Sequence, residues 1–398
     1  MKVLVVCQHY WPENFRITEI CEDLIARGHQ VTAVVGLPNY PTGHIPTEYR
    51  HFHNRRQEKN GVQIVRCFEI GRKAGKLGLA LNYVSYMTSA CVKLLFLKRD
   101  FDVIYAYSTS PVLMSLPAAF LRCFTSKKLV IDVLDIWPAC LAAMNVSESA
   151  LLYRFMKHVS HWVYAKADHL FYSSKRFQSY LQEVHHISVS NEQYLPQFAD
   201  DVFLQTLPQK KAAEQLELVF AGNIGKVQAV EVLIEAAALL CDQPIHWHIV
   251  GDGSNEQACR NLANSLQLQE KVTFYGRKPL EDMPAFYAMA DAMLVSMRDE
   301  ISVNDTLPGK VQSYMAAGKP VLGSIAGETP YVIAQAQCGY CAKPEDAKAF
   351  AEIVMRFMHE QDQVQMGERG KAYYLAHFTK AKHMDCLEAT LQALAEGR

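Results

Sequence analysis

The sequence predicts an α/β protein made of two successive Rossmann-like domains, and three observations predict it. The chain has 398 residues, half of them apolar, enough for two hydrophobic cores. It opens on a strand, helix, strand pattern. The same pattern begins again after a Pro-containing stretch, LPQF at 195–198.

Taken in order, the β-branched run KVLVVC at 2–7 reads as a strand. A polar turn follows, and then ITEICEDLIARGH, whose apolar positions fall at helical spacing before Gly28. VTAVVG is the next strand, and FDVIYAY (101–107) and KLVIDVLD (128–135) repeat the theme. Continuous apolar strands alternating with helices indicate a parallel sheet covered on both faces. In the second half the reading is LELVFAGN, a helix near 228–241, IHWHIVGDG, a helix near 255–267, KVTFYG, and a helix before DAMLVSM. Beyond residue 345 the chain reads as helices. The expected domains are therefore 1–195 and 200–377, with the last helix, about 378–398, packing back on the first. Between two such domains, a cleft at the strand ends is the expected ligand site.

LALNYVSYMTSACVKLLFL (79–97) is the one candidate membrane span, but Asn82, Ser85, Ser89 and Lys93 suit hydrocarbon poorly. Leu79, Tyr83, Tyr86, Ala90, Leu94 and Leu97 form one helical stripe. Preceded by Arg66, Arg72, Lys73 and Lys76, it reads either as an interfacial helix with a basic collar or as a core helix. Residues 1–200 carry 22 Lys+Arg against 16 Asp+Glu, and residues 201–398 carry 18 against 25. The first half is thus the side suited to an anionic surface or acceptor. The opening apolar run is too short for a secretory signal, so a cytoplasmic location is expected.

Eleven cysteines lack a disulfide framework. Cys338 and Cys341 have zinc-like spacing but no second pair or nearby His ligands, and His246/His248 and His51/His53 could be called ligands but the alternation in HWHIV is what a strand makes anyway, so no metal site is expected. No GxGxxG follows the first strand, where HYWPENF stands instead, which argues against a nicotinamide dehydrogenase.

Two stretches carry chemistry. In FAGNIGKVQAVEVLIEAA (220–237) a strand ends in a glycine turn and a helix is expected to follow at once. Gly222 and Gly225 permit close approach of a phosphate, helix-start N–H groups attract it, Lys226 adds charge and Gln228 adds hydrogen bonds. In VNDTLPGKVQSYMAAGKPVLGS (303–324), Asp305 and Lys310 precede a helix. Two lysines directed at one pyrophosphate fit a leaving group whose developing charge must be stabilised.

These pieces, with the WPE loop, ARGHQVT, DVLDIWP and VTFYGRKPLEDMPAFYAMADAMLVSM, resemble family 4 retaining glycosyltransferases of the GT-B fold, and more closely bacterial O-antigen fucosaminyltransferases. The resemblance covers essentially the whole chain. It implies donor-phosphate roles for Gly222, Asn223, Lys226 and Lys310, and a nucleobase facing the backbone near Arg277. Three departures stand out. Two glutamates eight positions apart are replaced by Asp305 and Ser313, which makes Glu328 the candidate ribose carboxylate. A double glycine in the first loop is replaced by Asn14 and Phe15, and Asn14, Arg16 and Trp137 are the candidate acceptor contacts. A histidine near the fourth strand is replaced by Asp132 and Asp135. Asp135, nearer the strand end, is the candidate to orient the sugar or acceptor hydroxyl, although a lone Asp there also caps turns.

The resemblance implies transfer of N-acetyl-L-fucosamine from its UDP form, with retention, to a polyprenyl-diphosphate-linked N-acetylglucosamine at the cytoplasmic face of the inner membrane. No cofactor and no nucleic acid are expected. A nucleotide-sugar epimerase and a non-catalytic sugar-nucleotide-binding module are the competing readings.

Overall fold

The structure is a computed structural model, and it describes residues 1–73, 75–144, 146–187, 192–205, 215–299 and 305–397, side chains of 143 and 144 excepted. The chain divides into two compact units, Met1–Leu195 with Met384–Arg398, and Pro196–His383.

In the first unit the elements run β1 (Lys2–Val6), α1 (Arg16–Ala26), β2 (Gln30–Val35), β3 (Arg56–Lys59), β4 (Val62–Arg66), α2 (Lys76–Leu95), β5 (Val103–Ser108), α3 (Leu116–Arg122), β6 (Lys128–Val133), α4 (Leu151–Ala165), β7 (His169–Tyr172), α5 (Lys175–His185) and β8 (Glu192–Tyr194). The eight strands lie in the order β3-β4-β2-β1-β5-β6-β7-β8. All pairs are parallel except β3–β4. That hairpin turns on Asn60 and Gly61, both at positive φ, the geometry an Asn-Gly pair supplies without strain. β5 is buried along its whole length, as a central parallel strand must be with helices on both faces.

The second unit continues with β9 (Leu216–Ala221), α6 (Glu231–Leu239), β10 (Ile245–Val250), α7 (Glu256–Ser265), β11 (Val272–Gly276), α8 (Met283–Met289), β12 (Ala292–Ser296), α9 (Gly309–Ala316), β13 (Val321–Ser324), α10 (Glu328–Ala336), β14 (Gly339–Ala342), α11 (Ala347–Met358) and α12 (Gln363–His377). Its six strands lie in the order β11-β10-β9-β12-β13-β14 and are all parallel. A last helix, α13 (Lys380–Ala395), leads the chain back into the first unit at Met384. There Arg27 bonds Asp385 at 2.7 Å and Glu388 at 2.8 Å, and His29 reaches Glu388 at 2.7 Å.

Among the described residues no helix is long and apolar enough to cross a membrane. α2 buries Tyr86, Ala90 and Leu94 against the first core, and Asn82 on the same side. The basic collar needs one correction: Arg66 is buried, and its guanidinium donates to Trp11 O, Gly36 O and Gln57 Oε1. A buried arginine whose donors are consumed by two backbone carbonyls and an amide oxygen offers no charge to a surface.

Candidate active site

The second unit's strand ends carry three interlocked glycine turns. Gly222, directly after β9, has φ +141°, and its N–H donates to Val250 O at 2.9 Å. Gly251 (φ +137°) and Gly253 (φ +158°) follow β10; a Cβ on Gly251 would overlap the Gly222 carbonyl oxygen and one on Gly253 the Ile224 carbonyl oxygen. Only glycine fits so close an approach with that backbone. Ile224 N–H donates to Asp252 O at 2.7 Å, and Gly251 N–H to Gly276 O at 2.9 Å, tying in the end of β11 beside Arg277.

The helix expected to follow the first turn directly begins later. A single tight turn over Lys226–Gln228 and left-handed Ala229 (φ +44°) intervene, and α6 starts at Glu231. Gln228 closes this turn from within, since its Oε1 accepts from Gly225 N–H at 3.1 Å and from Asn223 Nδ2 at 2.9 Å. Arg298 clamps it from outside, donating to Lys226 O at 2.7 Å while pairing with Glu231 and Glu345. The Gly222, Ile224 and Gly225 N–H groups are thus consumed inside the turns.

The helix start that does adjoin Gly222 belongs to α9. Tyr314, fully buried, fixes it: its hydroxyl reaches Ala221 O at 3.0 Å and Leu294 O at 3.2 Å and accepts from Ala221 N–H at 3.2 Å. One helical turn earlier, Lys310 extends over the Phe220 ring, with Nζ 4.0 Å from its centroid. Nζ lies 3.0 Å from where a Gly222 Cβ would stand. The ammonium is out of contact with water and has no hydrogen-bond partner among the described residues. Desolvation lowers its pKa from 10.5 to about 7. An unpartnered buried cation costs stability; an anion beside Gly222 would satisfy it. Lys226, in the neighbouring turn, is exposed.

In the first unit, the segments leaving β1, β2 and β4 gather a buried polar network. Glu69 Oε1 accepts from Gln8 Nε2 (2.7 Å), Asn39 Nδ2 (2.9 Å) and Asn82 Nδ2 (2.6 Å), and its Oε2 accepts from Leu37 N–H (3.0 Å). Burial lifts its pKa to about 7. Beside it, His9 Nδ1 bonds Glu13 Oε2 at 2.9 Å, and Glu13 Oε1 accepts from Asn39 and Tyr40 N–H, each at 2.6 Å. The His9 ring stacks on Phe15 at 4.7 Å. None of Gln8, His9, Glu13, Asn39 or Glu69 was singled out from sequence; the available signal was a polar residue directly after an apolar strand.

Asp135 lies two residues beyond β6. Burial lifts its carboxyl to about 6 against a hydrogen bond from Ser110 N–H. Asp132 lies inside β6, accepts from Tyr105 Oη at 2.9 Å, and rises to about 7 by burial. Trp137 is buried in the core and donates its indole N–H to Ser110 Oγ at 2.8 Å. Asn14 is exposed, and Arg16, first residue of α1, pairs with Glu19 at 3.1 Å.

Two family models match the chain, "Glycosyl transferase 4-like domain" over residues 14–196 and "Glycosyl transferases group 1" over residues 205–373, one on each parallel-sheet unit. The chain belongs to family 4 of the glycosyltransferases. It is 25% identical over 289 residues, 70% of each chain, to the probable glycosyltransferase WbjE of Pseudomonas aeruginosa. It is 23% identical over 341 residues, 80% of this chain and 82% of the relative, to WcaI of Escherichia coli K12, a glycosyl transferase named for colanic acid biosynthesis. Its fold is that of Anabaena HepE, solved in complex with UDP, with TM-score 0.73 and 15% identity over 99% of this chain and 100% of that one.

In this family 4 glycosyltransferase the remaining candidate residues are placed as follows. Glu328 is buried as the first residue of α10, behind Gly327 at φ +78°. Asp305 is half-buried just before α9, and Ser313 Oγ donates to Gly309 O at 3.3 Å within that helix. Arg277 is exposed. His246 and His248 are taken up by strand neighbours: His246 bonds Thr273 Oγ1, and His248 bonds Tyr275 Oη and Glu217 Oε2. Of the 303–324 stretch, Val303 and Asn304 lie outside the described residues.

Proposed function

We propose that this glycosyltransferase moves a sugar from a UDP-linked donor, N-acetyl-L-fucosamine being our reading, with retention, onto a polyprenyl-diphosphate-linked acceptor sugar during surface polysaccharide synthesis. The second unit takes the nucleotide diphosphate, and the strand ends of the first unit take the acceptor. The observation that carries the reading is the Lys310 ammonium, buried against Gly222 and without a hydrogen-bond partner among the described residues. A diphosphate there gains a desolvated cation for its developing charge, and a fixed charge in a dry site is worth more than one in water. Lys226 adds a second, exposed charge, so no divalent metal is needed to neutralise the leaving group. Glu328 is the ribose carboxylate in this reading, and Asp135 orients the sugar or the acceptor hydroxyl. The names of WbjE and WcaI support the polysaccharide context, and the UDP complex of HepE supports the nucleotide.

The test is to incubate the purified protein with a panel of sugar nucleotides and membrane lipid acceptor, in chelator, and to identify the product by mass. A UDP-sugar should be consumed and its sugar found on lipid. Sugar interconversion without transfer would instead indicate an epimerase, and donor binding without turnover a binding module.

A further inference from the structure

The strand order of the first sheet reverses at β1, with β2, β4 and β3 on one side of it and β5 to β8 on the other. In an open parallel sheet, ligands sit outside the carboxyl ends of the strands where that reversal occurs. Three residues past the end of β1 stands His9, to which the proposed function gives no part. Its ring is held from several sides. Nδ1 meets Glu13 Oε2 at 2.9 Å, one face lies on Phe15 at 4.7 Å with the planes 8° apart, and Tyr40 tilts against it at 5.6 Å. Glu13 is held in turn. Its Oε1 accepts from Asn39 and Tyr40 N–H, and Asn39 is itself bonded to Glu69. A carboxylate only accepts, so the proton between the pair belongs to Nδ1 and Nε2 carries the lone pair. That nitrogen has no hydrogen-bond partner among the described residues, and the side chain keeps 6% of its surface open. Glu13 alone suffices to join the loops after β1 and β2, and the imidazole adds nothing to that joint.

We propose that His9 is the general base of the transfer, with Glu13 as its positioning residue. A basic nitrogen left open on a ring that a second group orients is the arrangement that takes a proton from an attacking hydroxyl. The inference rests on the reading that the first unit takes the acceptor. The acceptor hydroxyl loses its proton to Nε2, and its oxygen's electron pair forms the bond to the anomeric carbon. The bond from that carbon to the diphosphate breaks with its pair leaving on UDP. The imidazolium, paired with Glu13, then returns the proton to water. Asp135 and His9 thus divide the work, one orienting the hydroxyl and the other deprotonating it. Further titratable groups face the pair from each neighbouring segment. Glu69, after β4, acts on His9 through its charge, while Arg66, the last residue of β4, and Cys7, directly after β1, act on Glu13. Tyr40, after β2, presents its ring.

Transfer is followed with the UDP-sugar and membrane lipid acceptor that give product with the parent, at saturating donor, across about pH 5 to 9. The parental rate should fall on the acid side as the imidazole is protonated. His9→Gln can still donate to Glu13 but has no basic nitrogen. It should lose roughly 100-fold or more in kcat/KM for the acceptor, and with it the acid limb, while melting temperature and UDP affinity stay parental. In Glu13→Gln the amide donates to Nδ1 and leaves the proton on Nε2, so the rate should fall as well. Its acid limb should move to lower pH, because no carboxylate favours the imidazolium. His158→Gln, exposed on α4, should match the parent. A role confined to holding the loops would lower the rate at every pH and leave the limb in place, which would overturn the proposal. Asp135 and Glu69 titrate in the same range and remain in both variants, so an acid limb retained by His9→Gln belongs to them and is that overturning result. A parent that transfers no sugar from any UDP donor would overturn the functional reading and this proposal together. An active parent with an equally active His9→Gln would overturn this proposal alone.

Discussion

Lys310 concentrates the residue-scale argument. Its folded pKa of about 7 lies below the ordinary lysine value, so between pH 7 and about 10.5 the unfolded chain holds a proton that the ligand-free native state does not. Stability therefore rises with pH across that window, and the cost of the buried charge is fully present below it. Lys310→Met should remove the cost, raising the melting temperature of ligand-free protein at neutral pH while weakening UDP binding. In the parent, UDP affinity should fall above pH 7, because the lysine must regain a proton to meet the diphosphate; calorimetric titrations at several pH values check this, and the variant should lack the slope. Asp135 has the opposite sign: a carboxyl raised to about 6 costs stability as pH rises from about 4 to 6. Asp135→Asn should leave neutral-pH stability equal or higher and UDP affinity parental, while turnover falls strongly. Wild-type turnover would return Asp135 to turn capping. Lys310 and Gly222 were legible because a glycine turn after an apolar strand and a lysine at a helix start are local signals. The Glu69 network was not, because Gln8, Asn39 and Asn82 reach one carboxylate from separate parts of the chain. Glu69→Gln, which turns an amide N–H toward converging donors, should cost about 1–3 kcal/mol in denaturant unfolding.

At the scale of elements, the alternation of buried strands and amphipathic helices made the α/β repeat readable, since a parallel strand covered on both faces has no polar side to hide. The elements the sequence concealed are those whose local chemistry misleads. β3 is RQEK, four polar residues at a sheet edge, and only the Asn60–Gly61 turn betrays its hairpin. The start of α6 was misplaced because VQAV continues a helical pattern, whereas Ala229 adopts the left-handed conformation to close the turn held by Gln228 and Arg298. The interlocked turns give the element-scale prediction. Gly251→Ala pushes a Cβ into the Gly222 carbonyl and should abolish UDP binding with a clear loss of thermal stability. Gly276→Ala, whose Cβ meets nothing within 4 Å, pays only its positive φ, roughly 1 kcal/mol. Equal effects from the two would mean that backbone strain rather than the interlock holds the site.

For the whole molecule, two sheets with separate cores account for the two-domain reading, and the return of the C-terminal helix joins the chain's last residues to its first unit. Met384, Leu387, Leu391 and Leu394 are buried there, each worth roughly 1.5–3 kcal/mol. Removing residues 384–398 should therefore leave the first unit poorly folded, visible as early loss of its near-UV signal on heating, while UDP still protects the second unit. The same return imposes an order on biosynthesis. The first unit emerges from the ribosome first but lacks its closing helix until all of Pro196–His383 has been made. At bacterial and eukaryotic elongation rates that is a wait of roughly 10–40 s. Throughout it the seat for Leu387 and Leu391 stands open to water, so the nascent first unit needs shelter from its neighbours on the same message, and the second unit, though made later, can finish folding before it.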